Sequence, residues 1–230
     1  MFRSITTSSA LSALTVLALA SCSSSTEPVG TSSSSSGPAH RGASTSSASV
    51  LLSSAELNKR LLNESDLGEG YTRKPEPALR HDDVTVIGCP VLEKFGSDAA
   101  TGSGLDFPRK EAASFVYADN NSEVAEELYS GAEDKLSQGV SRIFGAMSSC
   151  PRYQLLVGST PVTVTTRKLP APKLGEERWS QLLTFTVGGR SSVVKQTAVR
   201  TGTVVVVVSG SAALVDAHVA KATDKAHGVG

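Results

Sequence analysis

The last third of the chain alternates apolar and polar residues at period two. Tyr153, Leu155 and Val157 share one face, Val162 and Val164 follow Pro161, and Trp179, Gln181, Leu183, Phe185 and Val187 run into Gly188-Gly189, a tight-turn signal. Ser192 to Arg200 reads as the return strand and reverses at Thr201-Gly202. The valines from Val204 to Val208 are unbroken, so both faces of that strand need cover and a central position is predicted. Upstream the period lengthens. Ser53 is an N-cap with Glu56 as its capping-box partner, and Leu57 and Leu61 lie one helical turn apart. Asn63 to Gly70 ends that helix, and Tyr71 to Pro77 reads as an extended connection, since the residue before each proline avoids the helical region.

Gly88-Cys89-Pro90 opens a short helix over Val91 to Phe95, with Pro90 tolerated in its first turn. Ala112 to Ala118 is β-prone and reads as the first strand. Val124, Leu128, Ala132, Leu136, Val140, Ile143 and Met147 then recur at steps of four and three, which predicts one long helix from Asn120 to Ser122 onward, kinked near Gly139 and ended by Cys150-Pro151. Ala212 to Ala226 closes the domain as a helix with Val215, Val219 and Ala222 inward. The expected fold is α+β: an antiparallel sheet of about four or five strands with helices packed on one face, the other face being left as a groove.

The N-terminal region follows other rules. Arg3, a polar stretch and the apolar run from Leu11 to Ala20 have the order of a secretory signal, and the run is shorter than the roughly 20 apolar residues that span a bilayer. Leu19-Ala20-Ser21-Cys22 resembles the bacterial lipobox, at which the cysteine thiol receives a diacylglyceryl group and the chain is cut before it. Residues 1–21 are therefore expected to be a lipoprotein signal peptide and Cys22 the lipidated first residue, anchored to the outer face of the cell membrane. Residues 22–49 are Ser, Thr, Gly, Ala and Pro with almost nothing apolar, the composition of a disordered tether. Residues 50–230 form the single domain.

With Cys22 used by lipid, Cys89 and Cys150 remain as an even pair in a compartment where disulfides persist. The alternatives are two buried thiols or half of a metal site. No nearby histidine or third cysteine completes zinc spacing, so a disulfide is expected.

Lysines plus arginines balance aspartates plus glutamates at 22 each, so no broad basic face points to nucleic acid. No catalytic motif emerges. Gly-x-Ser-x-Gly is absent, His40 lies in the tether, and His227 lies in the C-terminal tail. His81 and His218 are the histidines of the folded sequence, and each is expected on a solvated surface. His81-Asp82-Asp83 reads as a polar turn, and Gly102-Ser103-Gly104 as loop. Glu123, Glu126, Glu127, Glu133 and Asp134 read as carboxylates on the solvated side of the long helix. The sequence calls for no metal and no cofactor. Trp179, Arg178, Tyr117 and Tyr71 are the candidates for a ligand face, because aromatic and arginine anchors are enriched where proteins bind.

With Leu61-Leu62, the run from Asp66 to Tyr71, Gly88-Cys89-Pro90 and a helix ending in Cys150 before the sheet, the chain from Val50 to Ala226 resembles the PknH-like extracellular sensor domains of actinobacteria. The resemblance implies an antiparallel sheet with packed helices, a cleft for an unidentified ligand, and binding in place of catalysis. It also implies a free-standing lipoprotein, as many members are. Kinase-linked members carry a second cysteine pair that this chain lacks. A PsbP-like lipoprotein fold is the alternative architecture. The expected function is a non-catalytic, ligand-binding domain of a cell-envelope lipoprotein, its ligand apolar or envelope-derived. The alternatives are a scaffolding lipoprotein that meets an envelope protein, and an envelope hydrolase using His81 or His218.

Overall fold

In the computed structural model, residues 50–75, 84–96, 107–118 and 122–228 are described. Ser53 caps helix α1 (Ser54–Arg60) through the expected box with Glu56. Asn63 and Asp66 form a second box that starts α2 (Glu64–Leu67), a helix inside the stretch read as a terminator. Strand β1 (Tyr71–Lys74) occupies part of the expected extended connection. Strand β2 (Val84–Ile87) leads into α3 (Pro90–Glu93), which has its proline in the first turn.

Strands β3 (Lys110–Tyr117) and β4 (Ser122–Ser130) pair in full antiparallel register. Here the structure corrects the reading of one long helix. Val124, Leu128 and Ser130 share a buried strand face with Glu126, so the true period is two. A carboxylate at the third inward position broke the apolar alternation and left the spacing of four between Val124 and Leu128, which imitates a helix. The helix begins later, as α4 (Glu133–Ser149), and runs through Gly139 without a break. Gly139 packs against Phe107: a Cβ there would stand 2.4 Å from Cζ of that ring, which would have to shift.

The meander follows as β5 (Arg152–Val157), β6 (Thr160–Lys168), β7 (Glu177–Val187), β8 (Arg190–Thr201) and β9 (Val204–Gly210). Helix α5 (Ala212–Ala226) closes the domain. The nine strands form one antiparallel sheet in the order β1-β3-β4-β9-β8-β7-β6-β5-β2. The expectation of about four or five strands is overturned. Strands β1 and β2 are four-residue edges too short to show a period, and β4 had been assigned to helix.

Cover on one face only is also overturned. Val204, Val206 and Val208 of β9 point to the first face, where α1, α2 and α5 build a core with Phe115, Val124 and Leu128. Val205 and Val207 point to the second face, under α4 with Tyr129 and Ala198. The valine run does sit in the middle of the sheet with both faces covered. Helix α4 continues over Leu155, Val164 and Leu183, joined by Leu92 of α3. The Cys89–Cys150 disulfide ties the start of α3 to the end of α4, with the Cα atoms 5.9 Å apart.

Candidate functional site

Side chains alternate along a strand, and residues opposite one another in register share a face. The first face is helix-covered over β3, β4, β9 and the end of β8, but over β7, β6, β5 and β2 it carries no helix among the described residues. Its boundary is the ion pair of Lys195 on β8 with Asp216 on α5. Beyond it the cross-strand rows can be read directly. Arg152, Thr165, Thr184 and Val193 form one row. Ile87, Gln154, Thr163, Thr186 and Ser191 form the next. On the other side lie Arg167, Leu182 and Lys195, and further along β7 comes Arg178.

This quadrant is polar, with isolated apolar points. Val193 is 53% and Ile87 45% exposed, while Arg152, Arg167, Arg178 and Thr165 are open to solvent. The hydroxyl of Thr186 lies 2.9 Å from that of Ser191, which extends the row as a hydrogen-bonded pair. Among the described residues none of the three arginines has a carboxylate partner. The strand segments of the quadrant contribute no aspartate or glutamate. At strand spacings of about 4.8 Å across and about 6.8 Å between same-face neighbours, the patch measures roughly 20 Å each way.

The four residues chosen as a ligand face are not gathered in one place. Tyr71 and Tyr117 face each other across β1 and β3, with ring centroids 4.7 Å apart. The Tyr71 hydroxyl lies 2.6 Å from Nε2 of His218 on α5, and burial holds both groups toward their neutral forms, raising the tyrosine pKa and lowering that of the histidine. His218 is thus half-buried against an aromatic pair, where a solvated surface position was expected. Trp179 lies on the second face under α4, with its ring centroid 6.2 Å from that of Phe144. Arg178 stands on the first face and is itself exposed, but the buried pair of Ser180 and Thr197 separates it from the open rows. Helix α5 separates it from the tyrosine pair.

The remaining quadrant residues went unnoticed in the sequence. Their signal was present: Thr163-Val164-Thr165 and Thr184-Phe185-Thr186 alternate hydroxyls with inward apolar residues. A separate concavity of about 290 Å³ opens at the β1 edge beside Arg73, Lys74 and Ser114. Cys22, His40, His81, Asp82, Asp83, Gly102, Ser103 and Gly104 lie outside the described residues. Among the described residues no helix is long and apolar enough to cross a membrane. Nor does any group of three His, Cys, Asp or Glu side chains there gather as metal ligands.

The acidic cluster divides. Glu126 is 1% exposed on β4, where the expectation was the solvated side of a helix. Its Oε2 accepts the Leu62 N–H at 2.6 Å, and Oε1 has no hydrogen-bond partner among the described residues. Burial pushes its carboxyl up to about 8, against the opposing pull of the Leu62 N–H and of Lys225.

Among solved structures, the extracellular domain of PknH from Mycobacterium tuberculosis matches with a TM-score of 0.59 at 16% identity, covering 78% of this chain and 98% of that one. An uncharacterized protein of Mycobacterium smegmatis, an ortholog of Rv0999, matches with a TM-score of 0.35 at 13% identity, covering 74% of this chain and 94% of that one. No family model matches the chain, and no curated protein matches it in sequence. The first likeness defines the class by fold: a single sheet-and-helix domain of the PknH extracellular type. At such identity it extends to the fold alone.

Proposed function

We propose that the chain is a cell-envelope lipoprotein, held at the outer face of the membrane by a diacylglyceryl group on Cys22. Its domain binds an envelope-derived ligand without catalysis, as a sensor-like module. The observation that carries the binding reading is the uncovered quadrant of the first face, with Arg152 and Arg167 in its open rows and Arg178 exposed beyond the buried Ser180, none with a carboxylate partner among the described residues. A guanidinium fork left open to solvent is a recognition group for a planar anion. The fold likeness to an extracellular domain supports an extracytoplasmic address. A second reading, docking of an envelope protein, is favoured by the breadth of the same quadrant across five strands, because partner proteins meet surfaces of that extent.

Two measurements on the full chain in envelope-bearing cells test this. Cys22→Ser is expected to abolish labelling of the protein by a radioactive fatty acid fed to the cells; equal labelling of the variant would overturn the anchor. A photo-cross-linking residue at Thr184 is expected to capture envelope material, while one at Asp134 on the exposed start of α4 captures none. Equal capture at both sites, or capture at neither, would overturn the face assignment. A captured polypeptide would replace the ligand reading with the docking one.

A further inference from the structure

Resting on that reading of the open quadrant, we infer that its occupant is an anionic glycan strand whose negative charges are carboxylates. The placement of the arginines carries the argument. Arg152, Arg167 and Arg178 lie on successive strands β5, β6 and β7 and step along them, one same-face position and then two. At standard strand spacings their Cα atoms are about 8 Å and about 14 Å apart on one diagonal, the longer interval crossing the row of the buried Ser180. A phosphate dianion is gripped by cations that converge on one point. These arginines are dispersed singly along a line, so they match single charges repeated along a polymer.

The exposed rows at Arg152 and on its side away from Arg167 decide what kind of polymer. Thr163, Thr165, Thr184 and Thr186 occupy two adjacent rows, and each hydroxyl both donates and accepts. A ligand that is itself rich in hydroxyls can satisfy such a lattice; an acidic polypeptide or a polyphosphate offers acceptors mainly. An anionic bilayer would be met by basic residues flanked by aromatic or long apolar side chains. The quadrant has no aromatic side chain on its rows, and its exposed apolar residues, Ile87 and Val193, are isolated from one another.

The test uses the full-length Cys22→Ser protein and four probes: polygalacturonate as the carboxylated glycan, dextran as a neutral one, polyglutamate as a carboxylated non-glycan, and vesicles containing phosphatidylglycerol. Polygalacturonate is expected to bind at least about tenfold more tightly than the other three, in a salt-dependent manner. Combining Arg152→Gln, Arg167→Gln and Arg178→Gln should weaken it about tenfold or more, while Lys135→Gln on α4 removes one charge without effect. Thr163→Val with Thr165→Val should weaken polygalacturonate and leave polyglutamate unchanged, a difference that a folding defect would not produce. Equal binding of polyglutamate would reduce the site to charge alone, preference for vesicles would make it a membrane face, and an unaffected triple variant would place the binding elsewhere; each overturns the inference. If Thr184 cross-links to envelope material that is not a carboxylated glycan, the ligand class falls and the face stands. If Thr184 captures nothing and polygalacturonate does not bind, both fall.

Discussion

Replacing the buried carboxyl of Glu126 by an amide should remove a pH dependence of stability that the fold itself imposes. Glu126 is almost fully buried under the junction of α1 and α2, and its surroundings move its carboxyl from an ordinary 4.5 to about 8. The sign follows from linkage. An unfolded chain releases this proton near 4.5 while the folded chain keeps it to about 8, so stability is fully present below 4.5 and is lost as pH rises toward 8. At 1.36 kcal/mol per pK unit the span is worth about 5 kcal/mol, of which about 4 kcal/mol has been lost by pH 7.5. Asp66, partly desolvated yet held below its ordinary value by Lys225 and the Asn63 N–H, titrates outside this window. Glu126→Gln keeps the shape and an oxygen for the Leu62 N–H but has no proton to lose.

Urea unfolding of both proteins at intervals from pH 5 to pH 8, followed by fluorescence of the single tryptophan, reads the difference. That tryptophan, Trp179, packs under α4 and so reports loss of the core. The two proteins should be close in stability at pH 5, and the variant more stable by about 4 kcal/mol at pH 7.5. Parallel pH profiles, or a wild-type protein that gains on the variant as pH rises, would refute the reasoning. Such a result would mean that the carboxyl is ionised in the folded state and held there by Lys225 and the Leu62 N–H.

Three further outcomes follow from the same structure. Cys89→Ser with Cys150→Ser opens a bridge spanning 61 positions and should cost about 4 kcal/mol by loop entropy, measured by urea unfolding against the oxidised protein. Gly210→Ala should cost about 2 kcal/mol or more, because a Cβ there would lie 2.1 Å from the Glu123 carbonyl oxygen and the residue has φ +137°; thermal unfolding checks it. The His218 ring should titrate below 6.5 by NMR, since burial and Lys221 disfavour its cation, and its contribution to stability is lost as pH falls through and below 6.5. Lys221→Gln, which removes the neighbouring cation, should move that titration back toward 6.5.

Local chemistry made much of this domain legible in the sequence. The box of Ser53 and Glu56, the turn at Gly188-Gly189, the bounds of α5 and the central place of the valine run each rest on signals a few residues long, and all four match the structure. The pairing of Cys89 with Cys150 was expected from the cysteine count, with Cys22 set aside for lipid, and is present. The second box at Asn63 and Asp66 is equally local and lies in the stretch expected only to end α1.

What the tertiary structure alone decided was everything set by neighbours distant in the chain. Glu126 looked like a solvated helix carboxylate because its burial comes from Leu62 and from the pairing of β4 with β9, neither of which leaves a trace in the local period. Trp179 and Arg178 are adjacent in sequence and lie on opposite faces, one beneath α4 and one open to solvent. The rows of threonine and arginine exist only once β5, β6, β7 and β8 pair in register. Periodicity states which residues share a face of one strand, but the register between strands and the helix that covers each face are set by packing across the whole sheet.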